Sequence, residues 1–410
     1  MTLDFGKFYV RHVDFGSETR LTDGTLSIDR ASLCEHLQHK DGRIESIRAH
    51  IARPGDSTRI VCVKDAIEPR VKVNGDRTGE GAVRSMKNVA VLTCGRIVAY
   101  QEGIVDMSGP GAPYTPFSET HNIVLEIDVA DGLSGHQHEE TVRLAGLEAA
   151  SYIAGACAGL EPDETETFGN WPAEGLPRIA YVYMLLSQGL LHDTYVEGVN
   201  AASGLPRSVE PQFVLDNGIH SGNCVSACDK NTTWHHQNNP VILELLGRHG
   251  DSLDFAGVVL TNEPTKLPEK KTSAAAAIEL AKQLRAEGAV VTEEGFGNPE
   301  ADLMMIVRGL EEAGIRTVCI TDEYAGSDGA SQSLADTTPE ADAIVTAGNA
   351  NELLTLPPMD LILGPLDSIT ELAGAYPQSL GPDGSLTVEI QGIVGATNEL
   401  GERTLRCREV

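Results

Sequence analysis

Basic residues are scarce in this chain: 31 lysines and arginines stand against 60 aspartates and glutamates, a formal net charge of −29 over 410 residues. Such a balance repels the phosphates of nucleic acid and the anionic face of a membrane, so neither is expected as a partner. Long apolar runs are missing as well. Nowhere do about 18 apolar residues follow one another, as a spanning helix requires, and Met1-Thr-Leu-Asp-Phe-Gly6 has neither the basic start nor the apolar middle of a signal peptide. The expected location is the cytoplasm. Cysteine is sparse, eight in all, too few for a disulfide scaffold and expected as thiols in a reducing compartment. Six of the eight, Cys34, Cys62, Cys94, Cys157, Cys319 and Cys407, mostly lie in apolar contexts such as Ile60-Val-Cys62-Val and read as small core residues. Nucleotide fingerprints are also absent: Gly295-Phe-Gly297 falls short of Gly-x-Gly-x-x-Gly, and no Gly-Lys-Ser/Thr phosphate loop occurs.

What is present is an ordinary globular composition, 41% hydrophobic and 22% charged, on a chain longer than the roughly 250–300 residues at which single cores stop growing. The expected class is α/β: a β-rich α+β domain over residues 1–217, a junction over 218–240, and a doubly wound, Rossmann-like parallel sheet over 241–410. The first part shows strand alternation in Lys7-Phe-Tyr-Val-Arg-His-Val13 and a β-branched run in Thr58-Arg-Ile-Val-Cys-Val63. Helices are expected over Arg30–His39, with an Asp29 cap, and over His138–Ala158. Glu161–Pro177 reads as an acidic linker. In the last part, apolar strands at Phe255, Ala289, Arg316, Asp342 and Met359 alternate, over the first three, with amphipathic helices Ser273–Glu287 and Pro299–Ala313. That spacing implies parallel βαβ units, whose ligands gather at the carboxyl ends of the strands. The polar sequences there are Thr261-Asn-Glu263, Glu293 to Pro299, Thr321-Asp322-Glu323-Tyr324 to Gly326, and Ala347 to Asn351.

Two stretches concentrate chemistry. The first, Asp106 to Asn122, holds two glycines and three prolines in seventeen residues. Its backbone must find side chains, water or a ligand, and Asp106, Ser118 and Glu119 are candidate substrate-facing residues within it. The second is the junction, Gly218 to Pro240, with His220, Asn223, Cys224, Cys228, Lys230, His235 and His236. Three readings stand for its cysteines. Metal binding is one, although adjacent histidines after Cys-x3-Cys match no common zinc spacing. A thiolate nucleophile with His220 or His235 as base is another. The third is self-processing: a Cys224 thiolate attacks the Asn223 carbonyl to give a thioester, β-elimination cuts the chain, and hydrolysis of the dehydroalanine leaves a pyruvoyl group.

Gln101-Glu-Gly-Ile-Val-Asp-Met-Ser-Gly-Pro110, Pro116-Phe-Ser-Glu-Thr120, Gln188-Gly-Leu-Leu-His-Asp-Thr-Tyr195, Ser221-Gly-Asn-Cys-Val-Ser-Ala-Cys-Asp-Lys230 and Thr321-Asp-Glu-Tyr-Ala-Gly326 resemble, in order, the component B proprotein of the glycine, sarcosine and betaine reductases. The resemblance implies a chain cut before a cysteine that becomes the pyruvoyl end of the smaller fragment. It implies a Schiff base between that group and a small amine or amino acid, reductive C–N cleavage, and no nucleotide or metal. The implied partners are a selenocysteine- or cysteine-containing component B subunit and a carrier selenoprotein, component A. The Asn-Cys pair of the family falls on Asn223 and Cys224, with Cys228 as the alternative. His220 is then a candidate acid or base for cleavage, His192 a candidate polar group near substrate, and Asp322 and Glu323 candidate binding residues. A non-processed scaffolding or ligand-binding subunit is the other function compatible with the sequence.

Overall fold

The computed structural model describes residues 2–98, 102–169, 171, 173–188, 194–222, 231–398 and 400. The chain is mixed α/β. One sheet orders its strands Gly103–Asp106, Thr58–Ile67, Val89–Cys94, His121–Val129 and Ile44–Ala52. Strands covered on both faces lose the polar alternation of a half-exposed sheet, and Val89–Cys94 is buried at every position. Its period of two survives as a division between two cores. Val89 and Val91 meet the helices Arg30–Lys40 and Gly135–Ala154, whereas Ala90, Leu92 and Cys94 meet Phe117, Leu363 and Trp234. Asp29 caps the first helix through the amide of Ser32. A Ser134–Gln137 capping box starts the second three residues earlier than apolar periodicity indicates.

The acidic stretch expected as a linker contains a strand. Glu164–Gly169 pairs antiparallel with Thr2–Tyr9 at the edge of a second sheet. Its glutamates are neutralised across the strand pair, with Lys7 Nζ at 2.9 Å from both Glu164 and Glu166.

The third sheet is the one that positions the site. Four strands run parallel to a fifth in the order Asp254–Asn262, Arg178–Leu185, Gly288–Thr292, Arg316–Glu323, Ile344–Asn349, with the short antiparallel Arg207–Val209 at one edge. In chain order this is 2-1-3-4-5, which reverses direction between Arg178–Leu185 and Gly288–Thr292. Helices Leu267–Gln283 and Asn298–Glu312 cover the face carrying Val182, Met184 and Val291. Phe213, Val241, Ile242 and Leu245 cover the opposite face, with Tyr181, Tyr183 and Leu260. The first of these helices begins six residues before the expected Ser273 because Pro268 and Glu269 suit a first turn.

The alternation of strands and helices stops after Arg316–Glu323, and the parallel sheet ends with Ile344–Asn349. Leu361–Leu363, expected in the same sheet, instead pairs in parallel with residues 58–60 of the first sheet. Between residues 350 and 398 the helices are two short 3-10 segments, Leu366–Glu371 and Ile390–Gly392, too short to cross back over the parallel sheet. The return packs Leu356, Ile369, Leu386 and Ile393 on Val61, Cys62 and Ile104. Residues on either side of the junction are therefore strands in each other's sheets. Among the described residues no helix is long and apolar enough to cross a membrane.

Candidate functional site

The junction leaves the fold through Ile219–His220, which pairs with Tyr195–Val196, and re-enters it at helix Thr233–Gln237. Its two feet are bonded to each other: the Ser221 amide donates to Thr233 Oγ1 at 3.0 Å. Thr233 is in turn held by Asp65, its amide donating at 2.9 Å and its hydroxyl at 2.7 Å. The helix starts with Thr232 as cap, accepting the His235 amide, while His235 Nδ1 accepts from the Thr232 amide at 3.2 Å. Burial pushes the His235 imidazole down to about 3, so it is neutral and structural. Asn223, Cys224, Cys228 and His192 lie outside the described residues.

Asn231, where the described chain resumes, lands on a buried carboxylate at the sheet's reversal point. Glu294, just past Gly288–Thr292, accepts the Asn231 amide on Oε1 at 3.1 Å. Its Oε2 accepts the Leu186 amide at 2.9 Å and the Thr194 hydroxyl at 2.7 Å. His236 Nε2 stands 3.5 Å from Oε1. Tyr183 accepts from Asn231 Nδ2 at 3.2 Å and lies 2.7 Å from His236 Nδ1. With the hydroxyl donating to Nδ1, the imidazole proton sits on Nε2 and faces Glu294. Asn398 Nδ2 donates to Asn231 Oδ1 and closes the network.

More carboxylates end the neighbouring strands. Glu263, Glu293 and Asp322 are each at most 1% exposed. Burial, reinforced by Glu294 and Glu293, raises the Glu263 pKa well above the ordinary range. Glu293 accepts the Thr321 hydroxyl, and Glu323 that of Thr346. Phe296 and Tyr324 stack beside them with ring centroids 3.5 Å apart. The four polar sequences at the strand ends do converge on one rim. The first turn of helix Asn298–Glu312, where such sheets often hold phosphate, contains Glu300, which accepts the Asp336 amide at 3.0 Å. Among the described residues no group of three or more His, Cys, Asp or Glu is placed to hold a metal ion.

The proline-rich loop lies on the other side of the junction helix. Asp106 is spent on a buried, bidentate pair with Arg59 at 2.7 and 2.8 Å. Ser118 donates to the carbonyls of Ala112 and Thr115. The loop's work is done by Phe117, whose ring meets Trp234 and His235 edge-on at 5.5 and 5.7 Å. Glu119 lines a cleft of about 420 Å³ with Phe5, Lys87, Trp234 and Asn238. Asp322 thus joins Glu294 at the rim, whereas Asp106, Ser118 and Glu119 do not. His220 is half-buried, and desolvation with the nearby Arg143 charge brings it down to about 4, a neutral imidazole at pH 7.

Beneath that cleft Glu68 receives Arg70, Lys87 and the Ser85 hydroxyl, and its backbone amide donates to Gln237 of the junction helix at 2.8 Å. Burial alone would raise the Glu68 pKa, but Arg70, Lys87 and Ser85 outweigh it and bring it to about 2. Burial and the nearby Arg70 charge outweigh the attraction of Glu68 and bring Lys87 down to about 8. A carboxylate lowered on folding stabilises fully above its unfolded value near 4.5 and loses that contribution as pH falls toward 2. Glu68→Gln should therefore cost about 3 kcal/mol at pH 7, by stranding buried cations. It should also flatten the acid limb between about pH 4.5 and 2. Denaturant titrations of both proteins across that range measure the two effects.

Strand periodicity points to none of Glu294, Asn231, Tyr183, His236 or Asp65 as site residues. The available signals are the charged pair Lys64-Asp65 in a strand buried along its whole length and the Glu293-Glu294 pair just past an apolar strand.

The family model of the glycine/sarcosine/betaine reductase component B subunits matches residues 1–408. Glycine reductase complex component B subunits alpha and beta of Acetoanaerobium sticklandii are 46% identical, over 98% of each chain. The sarcosine reductase complex component B subunit alpha of Peptoclostridium acidaminophilum is 43% identical over 100% of each. A D-proline reductase proprotein of Acetoanaerobium sticklandii is 26% identical over 73% of this chain and 51% of its own length. No solved structure matches. With a family model spanning nearly every residue, and full-length relatives well above 30% identity, the chain belongs to the glycine/sarcosine/betaine reductase component B subunits.

Proposed function

We propose that this chain is the substrate-binding subunit of a glycine-, sarcosine- or betaine-type reductase, made as a proprotein and cut between Asn223 and Cys224. The observation that carries this reading is the anchoring of the junction. Both its feet, Ser221 and Asn231 to Thr233, are buried and bonded to Thr233, Asp65 and Glu294. A loop held this way keeps its ends in place when a bond inside it breaks, which an ordinary surface linker does not require.

In the processing reaction the Cys224 sulfur forms a bond to the Asn223 carbonyl carbon as the peptide C–N bond breaks. Elimination then breaks Cβ–S, leaving a thiocarboxylate on residues 1–223, and water converts the dehydroalanine at 224 into a pyruvoyl group with loss of ammonia. That group supplies an electrophilic carbonyl for Schiff-base chemistry with a primary amine. The chain's own residues support such a position. Glu294 and Asn398 fix Asn231, downstream of it, and the Tyr183–His236 pair carries a proton on a buried imidazole. The carboxylates Glu294 and Asp322 favour a cationic amine over an anion. His220 and His192 remain proposed acid–base and polar groups, Asp322 and Glu323 proposed substrate neighbours, and Cys228 the alternative processing residue. Residues 1–223 would carry the β-rich part and 224–410 most of the doubly wound sheet. The reading places the subunit in the cytoplasm, beside a selenocysteine- or cysteine-containing component B partner and a carrier selenoprotein.

Intact-mass spectrometry of the chain isolated from its working complex tests this. Two fragments meeting at 223/224, with the smaller one labelled by a carbonyl reagent, are expected. A single unlabelled chain in an active complex would instead make it a non-processed docking subunit for the reductase partner.

A further inference from the structure

We propose that Glu294 is the positioning residue that joins the chain after the central strand to the start of the junction helix, so that the two segments move as one. The consequence for cleavage rests on the processing reading above; the geometry does not. Glu294 is 0% exposed, and among the described residues its two oxygens take three hydrogen-bond donors from two segments, with His236 Nε2 at 3.5 Å. Leu186 N and Thr194 Oγ1 come from one, Asn231 N from the other. Glu263 reinforces the first connection. Its Oε1 accepts the Glu294 amide at 3.1 Å, its own amide donates to Ser187 Oγ at 2.8 Å, and its carbonyl accepts from Gln188 Nε2 at 3.0 Å.

Only a carboxylate satisfies this arrangement. Glutamine in place of Glu294 offers one acceptor oxygen and turns an NH2 toward a backbone amide that is already a donor. Burial beside Glu294 and Glu293 raises the Glu263 pKa well above its ordinary value, which favours one negative charge in the pair over two. The location matters for the cut chain. Leu186 and Thr194 belong to residues 1–223, while Glu294 and Asn231 belong to 224–410. After cleavage one carboxylate still spans both fragments and keeps Asn231 of the second in register with Leu186 and Thr194 of the first.

The test is hydrogen–deuterium exchange on the full chain, followed at residues 186–188, 194–196 and 231–237, together with the time course of the cleaved mass. Glu294→Gln should raise exchange in both segments together by about tenfold or more, the loss of a charge-assisted bond. It should slow appearance of the second fragment by a similar factor while circular dichroism stays native. Thr194→Ala should loosen only residues 194–196 and leave 231–237 protected. Exchange that changes in only one segment of Glu294→Gln, or cleavage at the wild-type rate in the folded variant, overturns the proposal while leaving the processing reading intact. A wild-type chain that is never cut overturns that reading instead, and the exchange comparison still decides the role of Glu294. If Glu294→Gln does not fold, Glu294→Asp decides by the same comparison, since it keeps the charge but withdraws it by one methylene.

Discussion

Cys224→Ala should leave the chain whole. Alanine has no sulfur to attack the Asn223 carbonyl and no group to expel from its Cβ, so both the acyl shift and the elimination fail together. A denaturing gel should show one band, the carbonyl reagent should label nothing, and amine-dependent reductase activity of the complex should vanish. Cys228→Ala should be cut like the wild type. Cys224→Ser separates chemistry from folding, because a hydroxyl supports the same shift through an ester but is a far weaker nucleophile than a thiolate; slow, incomplete cleavage is expected. Should Cys228→Ala alone keep the chain whole, the reactive position is Cys228. The feet of the junction make this a clean experiment. The bonds from Thr233, Asp65 and Glu294 hold Ser221 and Asn231 through those residues' own backbone amides and side chains, none of which Cys224→Ala or Cys228→Ala replaces.

The sequence makes the parallel sheet legible because its strands are short, β-branched and separated by helices of ordinary length. Phe255–Thr261, Ala289–Thr292 and Arg316–Thr321 all lie within strands. It hides what depends on pairing over long sequence distances. Nothing in Leu361-Ile-Leu363 distinguishes an edge of the parallel sheet from a partner for Thr58–Ile60, some 300 residues earlier. Glu164-Thr-Glu-Thr reads as a linker until Lys7 is set between its glutamates. The site divides the same way. A stretch dense in Cys, His, Lys and Asn marks the junction, but its anchors are polar residues inside fully buried stretches of strand, Tyr183 and Asp65, or one member of an acidic pair, Glu294. Periodicity assigns those positions to the core, and they are in the core; their function comes from what the fold brings against them. Asp106 shows the converse error. A carboxylate in a glycine-proline loop reads as free to meet a ligand, whereas Arg59, 0% exposed, already claims it.

The cut fragments should stay together in every native buffer. Residues 1–223 contribute Arg178–Leu185, whose two edges bond to Asp254–Asn262 and Gly288–Thr292 of the second fragment. Its side chains Val182 and Met184 lie in one core with Ala277, Val291 and Leu303, and Tyr181 and Tyr183 lie in another with Ile242 and Leu260. The second fragment in turn places Leu361–Leu363 against Thr58–Ile60 and Thr233 on Asp65. Burying each large apolar side chain stabilises by about 1.5–3 kcal/mol, so exposing even these few would cost on the order of 10 kcal/mol, before the unmade strand bonds are counted. Size-exclusion chromatography of the processed protein should show one particle holding both fragments, unchanged in 1 M salt because the join is mainly apolar and hydrogen-bonded, with the Arg178–Asp254 ion pair a minor part of it. Guanidinium should release them in a single transition coincident with loss of secondary structure. Separation on dilution in native buffer would contradict the central place of Arg178–Leu185, and with it the idea that cleavage opens a bond in one folded body rather than parting two domains.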